Sequence, residues 1–327
     1  MTVRSNHGPV SWPGTDAKAA SVDRRRPPPL GSQRIRDWIT GYLFILPAFI
    51  SLAVWWLYPL IYSVYLGFTE WDFMSPQKKW VGLDNYVKIL THREFRRVLW
   101  NTAYFSVGTV VLGLLGGLIL ALLLNRKLRG LPIYRAMMFS PWITPTVAAA
   151  LVWLWIYNRD MGVFNAILSL FSVGRIDWIG SGQGLFRMWA MPSVIIFSVW
   201  KTVGYNMVYF LAGLTTIPTE LYEAAEIDGA GSWAKFRKVT WPLLSPMTFF
   251  LFVVSTIGTF NAFDQFRVLT RGGPGDATRT MVYYLYQNAF EFFDVGYGSA
   301  VAIVLFTLIL LLTLLQFRAS RSWVHYG

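Results

Sequence analysis

Six apolar stretches recur along the chain, at residues 39–66, 98–124, 136–157, 189–214, 243–266 and 298–317. Each reaches the roughly 20 residues that a helix needs to cross a hydrocarbon core. In lipid a backbone N–H or C=O must find its partner inside the protein, so runs of this length form helices and not open strands or loops. Composition agrees, since 54% of the 327 residues are hydrophobic and only 14% are charged, against about a quarter charged in soluble domains. The expected fold class is an all-α integral membrane protein with six transmembrane helices.

Lysine and arginine placement orients these spans. Arg24, Arg25, Arg26, Arg34 and Arg36 precede the first span, whereas Glu70, Trp71 and Asp72 follow it. The N terminus is therefore expected in the cytoplasm, and six crossings return the C terminus there. The same count places Arg126, Lys127, Arg129 and Arg135 inside, while Lys78, Lys79, Lys88, Arg93, Arg96 and Arg97 in the first outer loop run against it. Residues 1–37, with an arginine run followed by Pro27, Pro28 and Pro29, read as a disordered cytoplasmic tail ahead of a transmembrane domain at 38–327. The tail holds no apolar core of a signal peptide, so the first span is expected to serve as its own anchor.

Several function classes are excluded by what the chain lacks. The net charge of +12 is spread over short flanks of the spans, the usual way a polytopic protein meets anionic lipid, and this argues against a nucleic-acid partner. There is no cysteine, and the three histidines, His7, His92 and His325, are far apart. No metal cluster, thiol nucleophile or triad is suggested. A phosphate-binding Gly-x-x-x-x-Gly-Lys-Ser/Thr loop is also missing, so the chain is not expected to bind ATP, to need a cofactor or to be an enzyme.

Polar residues therefore carry the functional signal. Residues 218–246 form a polar stretch between apolar runs. Pro218 and Thr219 suit a helix start, Glu220 and Glu223 place negative charge early in that helix, and Leu221, Ala224, Ala225 and Asp228 share one face. Gly229 and Gly231 stop it, Ser232 is a candidate cap for a second short helix carrying Trp233, Phe236 and Val239, and Pro242 is expected to end that helix. Within the spans, Lys201 costs on the order of 3 kcal/mol if it faces lipid. It either lines a wet pathway or pairs with a carboxylate such as Asp264. Trp200, Lys201, Thr202, Gly204, Tyr205 and Asn206 combine aromatic and polar groups as a sugar demands, with faces for its C–H surfaces and partners for its hydroxyls. Asn261, Asp264 and Gln265 follow helical spacing at the end of the fifth run and suit one wall of a cavity, or solvent. Gly113 and Gly117 form a small-xxx-small pair for close helix packing, and Pro47, Pro59, Pro141, Pro145 and Pro192 are candidate kinks.

The 218–246 stretch resembles the EAA loop of ABC importer permeases. Glu223, Ala224 and Ala225 stand at its Glu-Ala-Ala, Gly229 at the glycine four positions on, Val239 at the β-branched position and Pro242 at the closing proline; Trp241 departs from the usual leucine. Residues 80–86, the 268–274 segment with Gly272, Gly273 and Pro274, then Thr278, Tyr283–Tyr286, Phe317 and Arg318 resemble further signatures of the MalF-like carbohydrate-uptake branch. The resemblance implies a type I importer permease fold, with Glu223, Ala224, Ala225, Asp228, Gly229, Phe236 and Pro242 contacting an ATPase. It implies a transient sugar site in the fourth and fifth spans, for which Lys201, Thr202, Tyr205, Asn206, Asn261 and Asp264 are the candidates. Implied partners are a second, similar permease, two copies of a cytoplasmic ABC ATPase, and an extracytoplasmic solute-binding protein in a prokaryotic cell membrane. The implied substrate is a di- or oligosaccharide, with glycerol 3-phosphate as a second choice. An ion-gradient-driven secondary transporter is the alternative; such carriers carry internal repeats and coupling carboxylates, and here only Asp264 is a strong candidate.

Overall fold

The computed structural model describes residues 32–126, 129–180 and 188–325. Residues 1–31 of the expected tail, including His7 and Arg24 to Arg26, and Lys127 lie outside the described residues. Two compact units divide the chain, Met1–Pro59 and Leu60–Gly327. In the first, α1 (Ser32–Leu52) carries Pro47 in its interior and leads into a π-helical turn at Ala53–Leu57. Positions 32–37, assigned to the tail on composition, already belong to α1.

α2 (Tyr58–Gly67) ends the first apolar run. Strands β1 (Thr69–Glu70) and β2 (Lys79–Trp80) then pair antiparallel with Thr69 opposite Trp80, and α3 (Asp84–Thr91) follows. Asn85 is buried there and its Nδ2 donates to the carbonyls of Gly67 at 3.1 Å and Thr69 at 3.0 Å. One amide thus serves two carbonyls left over where the helix stops, which gives the 80–86 signature a structural reason. Asn85→Ala strips both carbonyls of that partner, and a lost buried partner costs about 1–3 kcal/mol. A lower melting temperature of the purified protein is expected; an unchanged one would show that water replaces the amide.

The second span is α4 (Arg93–Leu124), and α5 (Leu131–Ile143) with α6 (Thr146–Ile156) form the third. After α7 (Val163–Leu170) come α8 (Ala190–Thr215), the short α9 (Thr219–Ile227) and α10 (Ser232–Lys235), a π-helical turn at Phe236–Thr240, α11 (Trp241–Leu243) and α12 (Ser245–Phe260). α13 (Asp264–Leu269), α14 (Met281–Tyr286) and α15 (Val295–Ser320) complete the chain. Among the described residues four helices are long and apolar enough to cross a membrane, or six when each of two bent pairs is taken as one span.

Three details differ from the sequence expectation. The third span is not one rod, because α5 and α6 meet at 99°. Pro145 forces this: it has no N–H and it drives Thr144 out of helical geometry, to φ −64° and ψ 132°. The helix containing Pro242 continues through Leu243, and the fifth span bends by 61° only at Leu244. Finally, that span ends at Phe260 and not at 266. Asn261 turns its amide back onto the Ile257 carbonyl at 2.9 Å, a local bond that competes with helix continuation.

Packing of the second unit centres on α8, which lies against α4, α5 and α12. Gly117 on α4 has no room for a side chain, since a Cβ there would sit 2.5 Å from the Asn206 Cβ. Gly204 on α8 is tighter still: a Cβ would overlap the Met138 carbonyl of α5. One core cluster joins Leu118, Phe210, Leu214 and Leu244, and Tyr222, Phe236 and Val239 of the 218–246 stretch pack against it.

Candidate functional site

A cavity of about 390 Å³ opens between α4, α8, α12 and the α5–α6 break, within the usual range of ligand pockets. α8 contributes Ser198, Lys201, Thr202, Tyr205 and Asn206. This follows from helical periodicity, since positions 198, 201, 202, 205 and 206 share one stripe. α12 and the turn after it contribute Gly258, Asn261, Phe263, Asp264 and Gln265. The break at 144–145 presents Trp142 and Thr146, and α4 supplies Phe105 and Thr109. All six residues expected along the pathway, Lys201, Thr202, Tyr205, Asn206, Asn261 and Asp264, therefore line one cavity. They do so although Asn261 is nonhelical and Asp264 begins a separate helix.

The walls divide into two chemistries. Trp142 and Tyr205 face each other with ring centroids 4.3 Å apart and planes 30° from parallel, beside Phe105, Phe197 and Phe263. Thr109 and Asn206 lie buried beside them, and the Thr109 hydroxyl and Asn206 Oδ1, closed off from solvent, have no hydrogen-bond partner among the described residues. The polar side chains on the less buried part of the wall are Thr202, Asn261, Asp264 and Gln265. Asp264 is exposed and, among the described residues, forms no ion pair. Lys201 also has no carboxylate within ion-pair distance among the described residues. Its Nζ donates instead to the carbonyls of Thr144 at 2.6 Å, Pro141 at 3.2 Å and Trp142 at 3.5 Å.

Sequence reasoning missed Thr109, Trp142 and Thr146. Thr109 stands one turn before Gly113 and reads as packing, while Trp142 and Thr146 reach the cavity only because the third span breaks.

The second candidate site is the knob formed by α9, α10 and the turn after them. α9 starts at Thr219 after Pro218, and Gly229 stops it with φ +76°, a left-handed geometry that glycine adopts without Cβ strain. Ser232 is not the cap of α10: Gly231 holds the N-cap position, and no side chain bonds there. Glu223, Ala224, Asp228 and Gly229 are exposed, Ala225, Phe236 and Pro242 half-buried. Around the exposed set stand Ile227, 88% exposed, and Trp233, 71% exposed, apolar groups that a partner would cover. On the inner side Tyr222 meets the Thr240 hydroxyl at 3.0 Å and Phe236 stacks on Trp233 at 5.5 Å. The knob is therefore fastened to the bundle while its outer face stays open.

Residues 113–324 match the family model for binding-protein-dependent transport system inner membrane components. The trehalose/maltose transport system permease protein MalF of Thermococcus litoralis is 37% identical over 288 residues, 88% of this chain and 96% of that one. The sn-glycerol-3-phosphate transport system permease protein UgpA of Agrobacterium fabrum is 34% identical, covering 88% and 97%. Among solved structures, a bacterial ABC transporter involved in import of the acidic polysaccharide alginate is similar with a TM-score of 0.75, at 23% identity over 89% of this chain and 97% of that one. A bacterial alginate ABC transporter in complex with alginate pentasaccharide-bound periplasmic protein gives 0.76 at 22% identity, over 90% and 98%. At those identities the solved structures share the fold.

Proposed function

Because this chain belongs to the family of binding-protein-dependent transport system inner membrane components, a multi-pass membrane permease of an ABC importer, we propose that its cargo is a neutral di- or oligosaccharide. Glycerol 3-phosphate is the second candidate, since relatives named for each are about equally similar. The carrying observation is the cavity, where aromatic faces stand beside the polar side chains of Thr202, Asn261 and Gln265. Aromatic faces take the C–H surface of a sugar ring, and polar side chains on the same walls take its hydroxyls. Lys201, Thr202, Tyr205, Asn206, Asn261 and Asp264 are the proposed pathway residues. A second, similar permease completes the pathway, and two copies of an ABC ATPase sit on the paired knobs. A solute-binding protein delivers cargo from outside, and both termini, with the residues that precede α1, face the cytoplasm. ATP-driven closure of the ATPase pair moves the knob, which Tyr222 and Phe236 fasten to α4, α8 and α12, and the cavity changes the side to which it opens.

ATP hydrolysis by the complex purified with its copurifying subunits and binding protein tests this reading. Sugars and glycerol 3-phosphate are compared as stimulants, and the stimulating ligand names the cargo class. Thr202→Val, which keeps the shape but removes a hydroxyl from the cavity wall, is expected to raise the half-maximal ligand concentration about tenfold, the value of roughly one hydrogen bond. If no ATPase copurifies and uptake collapses with a protonophore but not with ATP depletion, the chain is a gradient-driven carrier.

A further inference from the structure

Lys201 sits in the cavity wall, and its hydrogen bonds go to backbone carbonyls of that same wall. The ammonium has three N–H groups, and three carbonyls surround it, from Pro141, Trp142 and Thr144. All three belong to the last turn of α5 or to the residue just after it. Their need for a donor follows from the sequence. In a continuous helix the Pro141 carbonyl would accept from the N–H of residue 145, but residue 145 is proline and has none. The N–H of Thr146, which would serve Trp142, lies beyond the 99° bend. A cation at the carboxyl end of a helix also meets the negative end of its dipole.

We propose that Lys201 is a positioning residue: it supplies the donor that Pro145 withholds from Pro141 and serves the neighbouring carbonyls at the break, and so holds the break that sets Trp142 against Tyr205 as a cavity wall. It is not a ligand of the cargo. The proposal deepens the cavity reading above and rests on that reading for the importance of the wall, but the geometry of the break is independent of what is transported. It also accounts for a charge in the fourth span without a close ion pair, because the helix end offers it carbonyl acceptors.

Since the chain contains no cysteine, Thr146→Cys introduces a thiol unique in this chain just past the break. Its reaction rate with N-ethylmaleimide in the purified complex, followed as label on this chain after the subunits are separated, reports the local geometry whether or not a cargo is known. Lys201→Met is expected to change that rate about tenfold, the effect of losing a charge-assisted hydrogen bond, and Lys201→Arg, which keeps donors and charge, is expected to restore it. Lys201→Gln, with two amide N–H groups, replaces the Met variant if that variant fails to reach the membrane. In ligand-stimulated ATPase assays, Lys201→Met and Trp142→Ala should raise the half-maximal ligand concentration without adding when combined, because one acts through the other. An unchanged thiol rate overturns the proposal, as do additive effects of the two substitutions, which would make Lys201 a direct ligand. If no sugar stimulates hydrolysis but the thiol rate responds, the cargo assignment fails and the positioning role stands.

Discussion

Gly204→Val is expected to leave almost no correctly folded protein in the membrane. A Cβ at this position would overlap the Met138 carbonyl oxygen, and it would lie 2.6 Å from the carbonyl carbon and 3.0 Å from the Phe139 Cα. All three atoms are backbone, so no rotamer change relieves the overlap; α5 and α8 would have to part along their whole contact. Overpacking that side chains can absorb costs about 1–3 kcal/mol, and a clash with a helix backbone exceeds this, toward the 5–15 kcal/mol that is the entire net stability of a typical domain. Gly258→Ala is the control: it lies on a wall of the same cavity, yet nothing stands within 4 Å of its added Cβ. Fluorescence-detected size-exclusion chromatography of tagged variants should show a wild-type peak for Gly258→Ala and aggregate or nothing for Gly204→Val. A wild-type peak for both would mean that the helices slide apart at little cost.

Glu223→Lys is expected to abolish transport while the protein stays folded and in the membrane. Glu223 is exposed on α9, with no hydrogen bond or ion pair among the described residues. Glutamate and lysine have similar helix propensities, and exposed substitutions of this kind usually change stability by about 0.5 kcal/mol or less. Folding energetics therefore leave the knob intact. What changes is the sign of the charge on the face that carries Ala224, Asp228 and Ile227, and reversing a charge at an interface costs several-fold more than any local effect on α9. Cells should accumulate normal amounts of the variant and take up cargo at the level of cells lacking the permease, and the ATPase should no longer copurify. Normal uptake would detach the knob from energy coupling.

The expectations that survived inspection rest on local chemistry. Run length and apolarity marked where the spans lie. A glycine four residues after Ala225 marked the end of α9, because at Gly229 the backbone turns left-handed, a geometry most residues avoid. The stripe of Lys201, Thr202, Tyr205 and Asn206 was readable as one face because a helix repeats every 3.6 residues. By contrast, Ser232 reads as a cap from its type alone, yet the backbone passes the N-cap position one residue earlier, at Gly231.

That the chain is a helical membrane protein with a polar helical knob between its fourth and fifth spans is legible in the order of its residues, because apolar length and turn chemistry act within a few residues of chain. That the third span breaks at 99°, that Trp142 and Thr146 thereby join Asn206 and Asn261 around one cavity, and that Lys201 bonds to a helix end and not to Asp264 emerges only once the helices are packed. Packing is needed because the partners of Lys201 are backbone carbonyls. Every residue carries one, so residue identity does not say which are free; that depends on where Pro145 withholds a donor and on which helix packs close enough to supply another.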